Sequence, residues 1–419
     1  MMGIVRNPGR MRRWAVIATV LSVGTLTAAC SSNSTSSTTT TSAASVPAGL
    51  SVSSFNSSFT EMPQFKGLTA AGKGLVGVIL PDTTSSTRYV SFDAPYLAKA
   101  FQQAGYSSSQ YKIDNAQGVD ATELADAQAD ISLGAKVLVF DPIDSTVGAE
   151  VQSYASSHGV AVISYDRATF QGSKTYYVSF NNEAVGEAIG NGFLACVTSW
   201  GVSNPQVFVL NGGEDTDPNA ISFATGYNKV VWAQAAKTVA DGATNSQGMK
   251  LVGENFAPGW SNTQGGTIFQ QEFTSHPSIN ATIEANDGLA NAVINDLKTA
   301  NVPAKKIPVT GQDATAQGMA WVLEGYQCGS VYKPVYKEAQ DAVAMADILL
   351  SGNSVPAALL NGTTVDPANS SISEPASLLT ATWVNATNME TTVVKDGFDP
   401  ASAICAIAGA SICTSAGIS

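Results

Sequence analysis

Short runs of apolar residues alternate with amphipathic segments from Gly74 onward, and no other feature of this 419-residue chain constrains its fold as strongly. Continuous apolar runs favour strands that are buried on both faces of a sheet. The segments between them repeat apolar residues every three or four positions, which places one face of each helix against that sheet. The alternation therefore predicts parallel βαβ units and an α/β fold. The predicted strands are 74–80, 136–140, 160–164, 206–210, 279–284 and 307–310, and the apolar helical faces lie at 96–101, 124–131, 185–193 and 289–297.

Polar clusters follow most of these predicted strands. In open α/β sheets, ligands bind beyond the carboxyl ends of the strands. Clusters that come from separated parts of the chain therefore predict one shared polar cleft. The chain is long enough for two or three domains, so the strands could form one large sheet or two smaller ones. The clusters lie at 82–88, 165–167, 211–219, 286–287 and 312–313.

The composition excludes several classes of function. Lys and Arg number 21 against 33 Asp and Glu, a net charge of -12, which argues against binding nucleic acid or anionic lipid through charge. The chain has two histidines and neither a Cys-x-x-Cys nor a His-Glu-x-x-His motif, so no zinc site and no histidine-based triad is expected. The glycines at 72, 74 and 77 precede a strand instead of following it, so they cannot cradle a dinucleotide. We expect no metal and no cofactor.

The first residues of the chain have the pattern of a secretory signal. Four arginines precede an uncharged stretch of 16 residues, and that stretch is shorter than the roughly 20 residues of a membrane-spanning helix. The following LTAAC at 26–30 resembles the lipobox of bacterial lipoproteins, with Thr27 where Leu is usual. The resemblance implies a signal peptide over 1–29 and lipidation of Cys30. The alternative is a simple secretory signal followed by an unrelated Cys.

The segment after Cys30 is rich in Ser and Thr and carries little charge. Such a composition buries too little surface to offset the conformational entropy lost on ordering. Residues 30–66 are therefore predicted to be a flexible tether, and the fold is expected to begin near Gly67.

Four further cysteines follow in the chain. Outside the cytoplasm cysteines can oxidise, and Cys405 and Cys413 are close enough in sequence to form a short disulfide loop. Cys196 is in helical register with Phe193 and Ile189, which predicts a small buried apolar side chain.

Eight motifs occur in one order along the folded part of the chain. The motifs are SYDR at 164–167, YVSFNNEAVG at 177–186, PNA at 218–220, GW at 259–260, AND at 285–287, GQDA at 311–314, VYKP at 331–334 and VKDGF at 394–398. Together they resemble the periplasmic sugar-binding proteins of ABC importers, the type I ribose/xylose-binding family, and most closely the D-xylose-binding subfamily, over residues 74–398.

The resemblance implies two Rossmann-like lobes with parallel sheets, joined by a three-crossover hinge, and a sugar held between them. It assigns 74–181 plus 333–362 to an N-terminal lobe, 182–332 plus 363–400 to a C-terminal lobe, and 401–419 to a C-terminal tail. It implies no catalytic residue. The ligand-binding residues carried over from the family are Arg88, Tyr89, Asp166, Arg167, Asn219, Trp260, Asn286, Asp313 and Lys333.

These residue types also suit a sugar on chemical grounds. Each sugar hydroxyl both donates and accepts, so its burial requires carboxylates, cationic donors and amides together. The ring of Trp260 can cover the C–H face of a sugar, or alternatively fill a core. Two positions depart from the xylose-binding subfamily, Tyr89 for the usual Trp and Pro218 for the usual Asn, and both bear on which sugar the protein prefers.

Several of these side chains have an alternative structural role. Asp166 and Arg167 could form an ion pair that fixes a loop. Asn286 or Asp287 could cap the helix that begins near Gly288. Asp313 and Lys333 could be surface residues.

The function implied is that of an extracytoplasmic, lipid-anchored solute-binding protein. It would capture a monosaccharide, D-xylose or a related pentose or aldose, and deliver it to an ABC permease, as a monomer. A sugar sensor for a membrane receptor is one alternative, because sensing and delivery both depend on lobe closure. A sugar-converting enzyme that uses Asp166 and Asp313 is the other. Cationic partners would keep both carboxylates ionised, which disfavours a general acid.

Overall fold

The strands of this protein form three sheets in the computed structural model, which describes residues 44–170, 175–367 and 369–418. The strands are β1 (Leu75–Leu80), β2 (Tyr111–Asn115), β3 (Ala135–Phe140), β4 (Ala161–Tyr165), β5 (Thr175–Phe180), β6 (Gln206–Gly212), β7 (Lys250–Ala257), β8 (Ala281–Glu284), β9 (Ser330–Tyr332), β10 (Gly362–Val365), β11 (Ser373–Leu379) and β12 (Thr382–Val384). The α-helices are α1 (Lys66–Ala71), α2 (Ala94–Ala104), α3 (Asp120–Ser132), α4 (Ser145–Ser157), α5 (Asn182–Ser199), α6 (Pro218–Trp232), α7 (Asn262–Ser275), α8 (Asp287–Thr299), α9 (Ala316–Glu324), α10 (Val335–Leu350), α11 (Ala401–Ala408) and α12 (Ala410–Ala416).

The first sheet has the strand order β10-β11-β5-β4-β3-β1-β2, and every neighbouring pair is parallel except β10 with β11. The strands predicted at 74–80, 136–140 and 160–164 are confirmed as β1, β3 and β4. Their apolar side chains are buried because helices cover both faces of the sheet. Val76 and Val78 pack in a core with residues of α2 and α10, whereas Ile79 and Leu138 pack with residues of α3 and α4. This sheet and its helices form the first lobe.

The second lobe is built on three parallel strands in the order β7-β6-β8 and on the small antiparallel pair β9 and β12. The strands predicted at 206–210 and 279–284 correspond to β6 and β8, and the predicted apolar helical faces lie in α2, α3, α5 and α8. The strand predicted at 307–310 is not formed, although this run lies beside β8. Thr310 donates its N–H to the Glu284 side chain at 3.0 Å, and its hydroxyl accepts from Glu284 N at 2.9 Å. One backbone hydrogen bond, from Thr282 N to the Pro308 carbonyl at 2.9 Å, also joins this run to β8, and side chains make the remaining contacts described.

The chain crosses between the lobes three times. It passes from β5 into α5, returns from β9 into α10, and crosses again from β11 to β12. The α/β class with two lobes and a triple crossover is therefore confirmed.

The boundary of the second lobe differs from the one expected. The family resemblance assigns the segment 363–379 to the C-terminal lobe, but β11 pairs in parallel with β5, and β10 pairs with β11. These two strands extend the first sheet beyond β5. Without them, β5 would be the edge strand, and its backbone groups on that side would be unpaired. The chain returns to the second lobe only at β12.

The residues before α1 are part of the first lobe, contrary to the tether predicted up to residue 66. Phe55, Phe59, Met62 and Phe65 are each at most 1% exposed and pack in the same core as α2 and α10. Gln340 of α10 also donates to the carbonyl of residue 56 at 2.9 Å. The apolar surface that these four side chains bury stabilises the folded segment, which the Ser and Thr residues alone would not do. Residues 30–43 and the signal peptide lie outside the described residues.

Two disulfides join the four cysteines of the folded part. Cys196 is buried, as its helical register predicts, and it is also bonded to Cys328, a pairing that the sequence did not indicate: the face of α5 that carries it lies against the segment before β9. Cys405 is bonded to Cys413 and closes the turn between α11 and α12. The segment predicted as a C-terminal tail is thus a helical hairpin, and Ile404, Cys413 and Ile418 of this hairpin are buried.

Removal of the Cys196–Cys328 disulfide is expected to lower the free energy of unfolding by about 2–4 kcal/mol. The crosslink spans 132 residues of sequence, so it restricts the unfolded chain far more than the Cys405–Cys413 bond, which spans 8. Urea denaturation of Cys196→Ala/Cys328→Ala tests this, with Cys405→Ala/Cys413→Ala as the matched control. A larger loss in the control pair would contradict the prediction.

Several carboxyl groups are buried with no cationic partner in the described part of the chain, and their titration contributes to the pH dependence of stability. Burial raises the pKa of Asp341 from 3.8 to about 7, against the opposing hydrogen bond from Ser377. Burial likewise raises the pKa of Glu284 from 4.5 to about 8. Groups whose pKa is raised on folding hold the protonated form in the folded state, while the unfolded chain ionises near pH 4. Stability is therefore lost as the pH rises from about 4 through 7–8.

The melting temperature is accordingly expected to fall steadily between pH 5.5 and pH 8.5. Asp341→Asn should flatten this slope, because the amide keeps the shape of the carboxyl group and does not titrate. Differential scanning calorimetry across the pH series measures both effects. A melting temperature that rises with pH, or an unchanged slope in the variant, would be the contrary outcome.

Candidate ligand-binding site

A narrow cleft lies between the lobes, at the carboxyl ends of β1, β4 and β6. The structure brings all nine predicted ligand residues together in its wall. It adds four that the sequence did not indicate individually: two in the polar cluster after β1, one beside Asp313, and one a helical turn after Asn219. The lining residues are Ser85, Ser86, Arg88, Tyr89, Asp166, Arg167, Asn219, Phe223, Trp260, Asn286, Gln312, Asp313 and Lys333. We refer to this space as the interlobe cleft.

Arg88 is fully buried and bonded to three carboxylates. Its Nη1 donates to Asp166 at 2.7 Å, its Nε and Nη2 donate to Asp93 at 2.9 and 2.7 Å, and Nη2 donates to Glu338 of α10 at 2.8 Å. Burial alone would lower the pKa of Arg88, but the three carboxylates raise it well above its usual value. The guanidinium is thus held rigidly at the base of the cleft.

Asp166 is the acceptor at the centre of the cleft. Burial would raise its pKa, but the charges of Arg88, Lys333 and Arg167 lower it, so the carboxylate stays ionised. The Tyr89 hydroxyl donates to Asp166 at 3.1 Å. The phenolic group that replaces the usual indole is therefore anchored to a site carboxylate.

Arg167 does not form the direct ion pair with Asp166 that would be its alternative structural role. Its Nη1 donates to the carbonyls of Pro142 and Ile143 at 3.1 and 2.9 Å. Its guanidinium also lies 5.6 Å from the centre of the Tyr89 ring. These contacts hold Arg167 between the loop after β3 and the cleft.

Lys333 and Asp313 face each other in the cleft and are not surface residues, since they are 3% and 5% exposed. Lys333 Nζ lies 3.2 Å from Asp313 Oδ1 and 3.9 Å from Asp166 Oδ1. The other oxygen of Asp313 accepts from the Ser86 hydroxyl of the first lobe at 3.0 Å. The backbone of Asp313 has a φ of 92°, which aims the carboxylate toward the first lobe.

Trp260 belongs to the wall of the cleft and to the core of the second lobe. It is 7% exposed, and its indole N–H donates to Asp217 at 2.8 Å. Its ring packs edge-to-face on Phe223 and lies directly on Gly212, where an added Cβ would come within 1.9 Å of the ring. Only glycine at position 212 allows the indole to occupy this place.

Two asparagines contribute amides from helix N-termini. Asn286 is the N-cap of α8, where its Oδ1 accepts from Leu289 N at 2.9 Å, and its Nδ2 points to the Ser85 carbonyl at 3.4 Å. Asp287 is instead buried, with hydrogen bonds from Gln327 and Ser330. Asn219 donates to the carbonyl of Asp166 at 3.1 Å. Asparagines of the second lobe thus reach the first.

The arrangement suits binding better than catalysis. Carboxylates, cations and amides are fixed around one small space, and the cations beside Asp166 lower the pKa of its carboxyl group, which disfavours a role as general acid. Among the described residues there is no cluster of side chains that could hold a metal ion. In that same part of the chain, no helix combines the length and apolar character needed to cross a membrane.

Two α/β lobes around a polar cleft define the class of proteins that hold a small solute between hinged domains. The comparison with known families agrees: residues 76–354 match the model described as periplasmic binding protein domain, and the chain belongs to this family. The family is one of extracytoplasmic solute-binding proteins and not of enzymes.

Individual relatives share most of their length with this chain. It is 31% identical over 288 residues to the D-xylose-binding periplasmic protein of Escherichia coli, which covers 68% of this chain and 80% of that protein. It is 29% identical over 337 residues to the multiple sugar-binding periplasmic receptor ChvE of Rhizobium radiobacter, with 78% and 92% covered.

A solved structure supports the fold. A carbohydrate transporter solute binding protein from Chloroflexus aurantiacus, in complex with D-glucose, superposes with a TM-score of 0.66 at 24% identity. The match covers 79% of this chain and 98% of that one.

Proposed function

We propose that this protein captures a monosaccharide in the interlobe cleft, D-xylose or a related pentose or aldose, and delivers it to an ABC permease. The observation that carries the proposal is the convergence of Arg88, Asp166, Asp313 and Lys333 with two amides on one small space. Sugar hydroxyls need acceptors and donors side by side, and charged hydrogen bonds contribute roughly 1.5–3 kcal/mol each. Micromolar affinity requires about 8 kcal/mol, so a few such bonds suffice.

Movement of the lobes is part of the proposal. The cleft has a volume of about 30 Å3, so a monosaccharide enters only when the lobes or the lining side chains move apart. The three crossovers are the natural hinge, because a few linking residues can absorb the rotation. The contacts from Ser86 to Asp313 and from Asn219 to the Asp166 carbonyl would then form and break with closure.

The names of the relatives support a sugar as the ligand, but they do not indicate which sugar. They describe binding proteins for D-xylose, for multiple sugars and for ribose. Tyr89 bears on the choice, because its hydroxyl is bonded to Asp166 and its ring is smaller than the indole usual in the D-xylose-binding subfamily. A cleft lined in this way favours a fully hydroxylated sugar, since a deoxygenated analogue leaves buried charges unpaired.

A thermal-shift screen of residues 31–419 against xylose, arabinose, ribose, glucose, galactose and fucose tests the function. A sugar at about 100 times its Kd adds roughly 2.7 kcal/mol to the free energy of unfolding. We expect a shift of several degrees with one or two of the six. The absence of a shift with all of them would overturn the monosaccharide proposal.

We also propose that Cys30 carries the lipid that anchors the protein to the outer face of the cytoplasmic membrane. Residues 26–30 support this, since they end in the Ala-Ala-Cys of a lipobox. Cys30→Ala is expected to move the protein from the membrane fraction to the extracytoplasmic soluble fraction, because stable anchoring needs acyl chains. Fractionation and immunoblotting measure the change, and a variant that stays in the membrane fraction would refute the lipid anchor.

A further inference from the structure

A larger cavity adjoins the interlobe cleft. Its volume is about 210 Å3, and Arg167 lines both spaces. One wall is formed by residues 142–146 of the first lobe, which are the loop after β3 and the start of α4, and the opposite wall by Glu214 and residues 216–218 of the second. We call it the side cavity. Like the cleft, it lies between the lobes at the carboxyl ends of strands, here β3 and β6.

Arg167 is less than a tenth exposed, yet not all of its N–H donors form hydrogen bonds. The hydrogen bonds of its guanidinium, to the carbonyls of Pro142 and Ile143, both use Nη1. Within the described part of the chain, Nη2 has no acceptor at hydrogen-bond distance. Arg167 thus lines both spaces with a donor that no described protein group uses, and that donor is available to a ligand group at the boundary.

The charges of the side cavity exclude an anionic ligand. Asp144, Glu214 and Asp217 line it against the single positive charge of Arg167. The two helix N-termini at its edge are also occupied: the Asp144 side chain accepts from Thr146 N at 2.6 Å, and the Asp217 side chain accepts from Asn219 N at 2.8 Å. A phosphate or a sugar acid would meet carboxylates there instead of free N–H groups.

The remaining lining suits a neutral ring that carries hydroxyl groups. The hydroxyls of Ser145, Thr146 and Thr216 stand beside the carboxylates, and each can donate to or accept from a sugar hydroxyl. Pro142 and Ile143 offer apolar surface for the C–H face of the ring. This is the same division of polar edge and apolar face that the interlobe cleft presents.

We propose that the side cavity is a second glycosyl subsite, so that the protein binds a neutral disaccharide with one residue in the interlobe cleft and the next beside Arg167. The inference rests on the proposed function, because the first residue occupies the monosaccharide site. The unused donor of Arg167 would then bond to the glycosidic oxygen or to a hydroxyl next to it.

Isothermal titration calorimetry of residues 31–419 with xylose and xylobiose, and with glucose and cellobiose, tests the subsite. We expect one disaccharide to bind about tenfold tighter than its own monosaccharide, since a few added hydrogen bonds suffice for that ratio. Thr216→Trp and Ser145→Trp fill the cavity from opposite lobes at exposed positions. Each should weaken disaccharide binding about tenfold or more and leave monosaccharide binding within about twofold.

The control variant is Thr238→Trp, an exposed position that does not line the side cavity, and it should change neither affinity. Monosaccharide binding without tighter disaccharide binding would overturn the subsite and leave the proposed function intact. The subsite is likewise overturned if both cavity-filling variants bind the disaccharide normally or lose the two ligands equally. Failure of all four sugars to bind would overturn the subsite, and the proposed function falls with it only if none of the six monosaccharides of the thermal-shift screen binds.

Discussion

Asp313→Ala is expected to lower the affinity for the monosaccharide by about 100-fold or more. The Asp313 carboxylate is an acceptor for sugar hydroxyls, and it also neutralises Lys333, whose Nζ lies 3.2 Å away. Without it, the carboxylate that remains near Lys333 among the described residues is Asp166 at 3.9 Å, and a bound sugar loses a charged acceptor that water cannot replace in a closed cleft. Calorimetric titration with the sugar found by thermal shift measures the loss.

The backbone at position 313 calls for a second variant. A φ of 92° strains alanine more than asparagine, so Asp313→Asn separates the loss of the carboxylate from a change in the loop. A large loss of affinity in both variants assigns the effect to the charge. Asp296→Asn, on the outer part of α8, is the matched control and should bind normally. Wild-type affinity in Asp313→Ala would place the binding site elsewhere.

Trp260→Ala tests the apolar side of the cleft in the same way. The indole covers the end of β6 and touches Phe223, so its removal takes away the stacking surface proposed for the sugar ring. We expect sugar binding to be greatly weakened while the circular dichroism spectrum keeps its α/β shape. Undiminished binding in both Trp260→Ala and Asp313→Ala would contradict the site as described.

Arg88→Met is expected to lower the free energy of unfolding by roughly 3–5 kcal/mol, the largest effect on stability predicted for a single substitution. Methionine fills the space of the aliphatic part of arginine, but it leaves the carboxyl groups of Asp93, Asp166 and Glu338 buried together without the guanidinium that bonds all three. An uncompensated buried charge costs more than the ion pair contributed. Urea denaturation at pH 7 measures the change.

The control for this variant is a cation that also bonds two carboxylates but lies in solvent. Lys229 contacts Glu183 and Glu187 at 2.8 and 2.7 Å, and Lys229→Met should leave stability nearly unchanged because exposed pairs contribute little. Equal losses in the two variants would contradict the role given to Arg88.

The deficit of Arg88→Met should also depend on pH. Burial raises the pKa of Glu338 to about 8, and the charge of Arg88 opposes that rise. Loss of Arg88 therefore raises this pKa further. Glu338 is protonated in both proteins well below pH 8, so the deficit of the variant should grow as the pH rises above about 8, where Glu338 ionises in the wild type and stays protonated in the variant. A deficit that grows on acidification would argue against a buried charge cluster.

Composition misled the interpretation of the N-terminal segment. Averaged over 30–66, Ser and Thr dominate, and the average hides Phe55, Phe59, Met62 and Phe65. These four recur at intervals of four and three residues, the spacing of one helical face, so the sequence did contain a signal of burial. What it lacked was the partner surface on α2 and α10 that makes such burial favourable.

Residue chemistry and local pattern are what the sequence by itself determined. The apolar runs predicted β1, β3, β4, β6 and β8, because a strand that is covered on both faces consists mostly of apolar residues. The polar clusters at strand ends, together with the family motifs, indicated all nine residues that the structure brings into the interlobe cleft. These features depend on neighbours within a few positions, which is the range over which sequence patterns carry information.

Only the tertiary structure decided the contacts between distant segments. Cys196 meets Cys328 across 132 positions, Glu338 reaches Arg88 across 250, and β11 returns to pair with β5. The neighbouring sequence does not indicate any of these partners, since a cysteine, a glutamate or an edge strand can pair with several different groups. Their choice follows from how the helices pack on each sheet and how three crossovers set the lobes against each other, and that packing is a property of the whole chain.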